Sequence, residues 1–116
     1  MTAKALVTST KLFFFVVKGG TPTDDELETL GMDIGDIWIK LGRRLDVTDA
    51  KQKEIDSAHK LLSEKAYYTL KHWKQSKGAA ASYQALCDAL QDQRVQRQDL
   101  VEKYCYIKGD YCVSMF

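Results

Sequence analysis

Apolar positions at helical spacing organise most of this chain. Ile34, Ile37, Trp38, Leu41 and Leu45 fall at i, i+3, i+4, i+7 and i+11, which is one stripe along a helix, with Asp33 placed to cap it. Ahead of that stripe, Thr23-Asp24-Asp25-Glu26 has the form of a capping box, in which hydroxyl and carboxylate satisfy reciprocal backbone donors. Its acids also suit the positive end of a helix dipole. A short first helix over 24–30, ended by Gly31, is therefore expected. Thr48 predicts the cap of a third helix over 49–57, whose one strong apolar anchor is Ile55. A fourth runs from about Leu61 to Ser76, with Leu62, Ala66, Leu70 and Trp73 on one face and Gly78 as its stop. Tyr83, Leu86, Cys87 and Leu90 mark a fifth helix. Leu100, Val101, Tyr104 and Ile107 mark a sixth, ending at Gly109. Six amphipathic helices with short connections predict a compact all-α bundle.

The two ends read differently. Leu12 to Val17 (LFFFVV) is an apolar run between Lys11 and Lys18, too short to span a bilayer and richer in aromatic and β-branched residues than a helix wants. Exposed, it would be an aggregation hazard, so a cover is expected, and the similarly apolar Tyr111–Phe116 segment is the expected partner. The organisation is then an N-terminal apolar tail (1–22), a helical domain (23–107) and a C-terminal apolar tail (108–116).

Composition narrows the chemistry. At 116 residues one domain is expected, with enough core to fold unaided by metal or disulfide. The 3 cysteines, Cys87, Cys105 and Cys112, form no C-x-x-C pair, and His59 and His72 lie at no metal-ligand spacing from them. No metal, no cofactor and no catalytic residue is expected, and an odd, sparse cysteine count suits a reducing cytoplasm. Trp38, Trp73 and Cys87 sit on apolar stripes and are expected in the core. Tyr67, Tyr68 and Tyr83 cannot all face inward.

A formal net charge of +1 conceals segregation. Thr23–Trp38 holds six acids and no base, whereas Ile39–Lys77 holds ten bases against five acids. Blocks of like charge mark interaction surfaces, and opposed patches steer encounter and fix register.

Residues 35–104 resemble a death domain. The motifs are Asp36-Ile37-Trp38-Ile39-Lys40-Leu41-Gly42-Arg43-Arg44-Leu45, Val47-Thr48-Asp49-Ala50-Lys51, and Tyr68-Thr69-Leu70-Lys71-His72-Trp73-Lys74. Ala81-Ser82 with Leu86 and Ala89-Leu90 follow, and then Asp99-Leu100-Val101. Within the family the pattern is most similar to adaptors of the Fas-associated kind. Two residues depart from it: Gly42 replaces a usual Ala, and Gln52 stands where an aliphatic residue is usual.

The resemblance implies a six-helix antiparallel Greek-key bundle with no enzymatic activity. It implies homotypic binding to other death-domain proteins, a receptor tail or an adaptor, in apoptotic or immune signalling in the cytoplasm, with homo-oligomers as a possibility. It places Arg43 of helix two and Asp49 of helix three at the partner surface. Lys40, Arg44 and Lys51 are added from the charge pattern. No membrane and no nucleic-acid partner is expected; the alternative is a helical nucleic-acid-binding domain that sets the basic middle segment against phosphates, with a steep salt dependence.

Overall fold

The computed structural model describes residues 16–106. Five regular helices carry the fold: α1 (Asp24–Ile34), α2 (Trp38–Arg44), α3 (Asp49–Ala58), α4 (Leu62–Lys77) and α5 (Tyr83–Gln91). Single 3-10 turns, Gly35–Ile37 and Gly78–Ala80, lead into α2 and out of α4. The expected all-α bundle holds, but the sixth helix is not regular. It is one α-turn, α6 (Gln98–Leu100), running into π-helical turns over Val101–Cys105. The wider turn keeps Val101, Tyr104 and Cys105 all buried. It stops at Cys105, ahead of Tyr106, whose extended backbone forms an antiparallel bridge with Val17; the remainder of the expected helix, to Gly109, lies outside the described residues.

Helix one also differs from expectation. It runs through Gly31 to Ile34, so that Leu27, Leu30, Gly31 and Ile34 form its buried face. A Cβ at Gly31 would lie 3.0 Å from the Tyr67 backbone nitrogen and 3.1 Å from the Ser63 carbonyl oxygen. The missing side chain lets α1 press on the backbone of α4, its most extensive neighbour. That contact outweighs the weak helix propensity of glycine. The break falls instead at Gly35, with φ 54° and ψ −125°, a conformation only glycine adopts readily. Ile34 therefore belongs to α1, and Asp33 is not the cap of α2. Asp33 accepts hydrogen bonds from Lys103 Nζ (2.8 Å) and Tyr104 Oη (2.6 Å), pinning α1 to the π-helical turns.

The predicted caps of α1 and α3 form. Thr23 and Glu26 make the reciprocal capping box, and Thr48 Oγ1 accepts from the Lys51 N–H at 3.1 Å. Leu27, Leu30, Leu41, Leu70, Leu86, Leu90 and Val101 are almost wholly buried, with Trp38 and Trp73 beside them. The fifth-helix stripe packs as read, Cys87 included. Of the three tyrosines, Tyr83 is buried, Tyr67 half-buried and Tyr68 exposed.

The expected pairing of 12–17 with 111–116 lies outside the described residues but for Val16 and Val17. At its near edge, Lys18 N–H donates to the Cys105 carbonyl (2.8 Å) and Tyr83 N–H to the Gly20 carbonyl (3.2 Å). Pro22 is fully buried. Residues 17–22 are thus lashed to the bundle.

Candidate functional site: the outer face of α2

The buried stripe of α2 is Trp38, Leu41 and Gly42, which leaves Ile39, Lys40 and Arg43 on its outer side. Positions 40, 43 and 44 share a face by helical spacing, so three bases stand together. Lys40, Arg43 and Arg44 line one shallow depression with Gln93 and Arg94 from the loop after α5. A second depression, between α2 and α3, is lined by Ile39, Arg43, Asp49 and Lys53. A third holds Arg43 and Arg44 against Asp88 and Asp92. Arg43 borders all three.

The charges are already partly engaged. Arg43 Nε donates to Asp49 Oδ1 at 3.3 Å, both side chains more than half exposed. An exposed pair of this kind is worth only ~0–1 kcal/mol, so an incoming partner exchanges it at little cost. Arg44 is less exposed and reaches Asp92 at 3.9 Å. Asp92 also accepts from the Arg94 backbone N–H (2.8 Å) and Arg94 Nε (3.0 Å). The bonds from Arg94, backbone first, hold its carboxyl below the usual aspartate range. The loop that carries Arg94 is thereby tied against α2.

Of the five residues singled out in sequence, Lys40, Arg43, Arg44 and Asp49 fall on this face. Lys51 does not. Its ammonium pairs with Glu54 at 3.3 Å and lines the groove between α3 and α4. Ile39 and Arg94 went unnoticed. Ile39 was legible as an apolar residue off the helix-two stripe, and it is 38% exposed. Arg94 had no local signal, because only the folded loop carries it to α2.

The acidic segment is divided. Asp24 reaches Lys74 at 3.6 Å, Glu26 pairs with Lys18 at 3.1 Å and Asp33 is bound by Lys103. Asp25, Glu28 and Asp36 are exposed and form no ion pair within 4 Å among the described residues. Among those residues, no three His, Cys, Asp or Glu side chains are placed to hold a metal ion. Burial raises the Cys87 thiol and pushes Cys105 up to about 12, so neither is an activated nucleophile.

A small helical bundle offering an apolar residue ringed by exposed charge is a docking module in its geometry. The family model for the death domain matches residues 24–106, and the chain belongs to that family of protein–protein interaction modules of signalling. No curated protein matches the chain significantly. No helix among the described residues is long and apolar enough to cross a membrane.

Proposed function

We propose that this protein is a homotypic docking module that binds other death-domain proteins through the outer face of α2 and the start of α3. The reading extends to an adaptor role of the Fas-associated kind in apoptotic or immune signalling in the cytoplasm. The observation that carries it is the convergence of Ile39, Lys40, Arg43, Asp49 and Arg94 on one exposed face. Ile39 supplies the apolar centre that a contact needs, and the surrounding charges set register and suppress wrong partners. The exposed acids of α1, Asp25 and Glu28, offer a second copy the opposite sign, which suits homo-oligomers.

The nucleic-acid reading has less support from the placement of the bases. Lys51 of α3 and Lys65, Lys74 and Lys77 of α4 are each engaged by a carboxylate. Neutralising a run of backbone phosphates would need several of these ion pairs exchanged at once.

Calorimetric titration of the purified chain with death domains of receptors and adaptors, at low and high salt, tests the proposal. Saturable binding that weakens with salt and is lost in Arg43→Glu is the expected result. Binding unaffected by Arg43→Glu would move the contact to another face.

A further inference from the structure

The two histidines of the chain come together in one place. His59, just after α3, and His72, on α4, both line a groove of about 230 Å³ between those helices. Lys51 and Glu54 of α3 and Tyr68 and Lys71 of α4 share the lining. The side chains are held in place. The His59 ring stacks on Tyr68 with centroids 4.1 Å apart and planes 9° apart. His72 Nε2 lies 3.2 Å from Ser76 Oγ, and the Lys71 ammonium sits 5.8 Å from the Tyr67 ring centroid. Two ammonium groups and two imidazoles thus face a single carboxylate, Glu54, which Lys51 already engages at 3.3 Å. The other acid between these helices, Asp56, is taken by Lys65 at 2.6 Å. Lys71 has no ion pair within 4 Å among the described residues.

We propose that the α3–α4 groove binds a phosphate group carried by a small solute, with Lys51 and Lys71 supplying charge and the imidazoles supplying donors. Ammonium and imidazolium donors to an anion make the stronger class of hydrogen bond, and a half-enclosed site screens them less than open water does. The site is separate from the α2 face and does not depend on it. Burial, and then Lys51, hold His72 below its ordinary 6.5, with Glu54 opposing. An anion seated beside it reverses that balance, so binding takes up a proton. Affinity for a ligand of fixed charge therefore rises as pH falls through the histidine range.

The test uses the full chain and no protein partner, so its failure leaves the docking proposal standing. Inorganic phosphate and sulfate are titrated at constant ionic strength, balanced with chloride, while the imidazole resonances of His59 and His72 are followed by NMR. Sulfate keeps its charge across the range, so it isolates the protein's own titration. The expected result is a saturable shift of both histidines by either anion, with sulfate binding tighter at about pH 6 than at about pH 7.5. Lys51→Gln/Lys71→Met, with circular dichroism unchanged, is expected to weaken binding roughly tenfold or more. An O-phosphoserine titration that matches inorganic phosphate places a phosphate ester in the site; its failure, with the free anion still bound, would overturn the assignment of a solute-borne phosphate. Shifts that chloride reproduces, that do not saturate, or that persist in the double variant would overturn the proposal.

Discussion

The amide of Gln52 fills the space that a side chain at position 42 would need. A Cβ on Gly42 would lie 2.0 Å from Gln52 Nε2 and 3.0 Å from Thr69 Cγ2. In that space, Nε2 donates to the carbonyls of Trp38 (3.4 Å) and Ile39 (3.1 Å), stitching α3 to α2. Gly42 and Gln52, the two residues singled out in the sequence as unusual for the pattern it resembles, are therefore one packing solution. Gln52 is buried, and its Oε1, like Thr69 Oγ1, has no hydrogen-bond partner among the described residues. The lost helix propensity of Gly42, about 0.5–1 kcal/mol, is the cost of admitting the amide.

Gly42→Ala should accordingly destabilise, by ~1–3 kcal/mol, because the new methyl evicts a hydrogen-bonded amide. In a Gln52→Leu background the same change should cost less, since the closest clash and the evicted amide are gone, while Thr69 Cγ2 at 3.0 Å still crowds the new methyl. Denaturant melts of the four proteins give the coupling, expected between ~0.5 and ~3 kcal/mol. Additive effects would mean that the two positions are independent.

Much of this was legible in sequence. Three-residue and four-residue spacings located α2, α4 and α5, and the hydroxyl caps at Thr23 and Thr48 located α1 and α3. Gly31 was misread because a glycine in a helical pattern has two meanings, a stop or a close approach. Only the neighbour decides, and here it is the backbone of α4. Ile34 and Asp33 were displaced with it. The same limit hid the approach of Arg94, which the loop after α5 carries to α2, and grouped Lys51 with residues from which the fold separates it. Helical spacing places a residue on its own helix, not on the molecule.

The crossing at Gly31 can be checked directly. All three nearest atoms to its missing Cβ belong to the backbone of Ser63 and Tyr67, so no side chain can swing aside. Gly31→Ala should cost ~1–3 kcal/mol despite the better propensity of alanine, read as a lower denaturant midpoint with an unchanged slope. A rise in stability would show that α1 and α4 can separate without penalty.

On the proposed docking face, Arg94→Glu separates the local ion pairs from a partner contact. The Arg94 side chain is 61% exposed, so the fold should change by no more than ~0.5 kcal/mol. If the loop joins the α2 face in binding, affinity for a death-domain partner should fall by ~1 kcal/mol or more, chiefly through slower association at low salt. The same charge reversal at Lys60, an exposed base after α3 and away from α2, is the control. Equal losses at both positions would reduce the effect to net charge alone.

The last prediction concerns acid. Glu26 joins three parts of the molecule: it accepts from the Thr23 N–H (3.0 Å), from Lys18 Nζ (3.1 Å) and from the Tyr83 hydroxyl. Burial pushes its carboxyl up, but the bonds from Tyr83, Thr23 and Lys18 together outweigh that and hold it below its ordinary 4.5. At Asp33 the bonds from Lys103 and Tyr104 lead, and its carboxyl is also lowered. A carboxyl lowered by folding stabilises the native state fully above its unfolded value, and the gain is lost as pH falls through the folded value. Stability should therefore hold down to about pH 5 and decline below about pH 4, near the unfolded values of these side chains. Glu26→Gln should be less stable at neutral pH and lose less on acidification, so that its curve converges on the wild-type curve at low pH. The effect should be larger than for Asp25→Asn, since Asp25 is exposed and in no ion pair within 4 Å among the described residues. Parallel curves for wild type and Glu26→Gln across the acid limb would show that this carboxylate does not hold the N-terminal strap to the bundle.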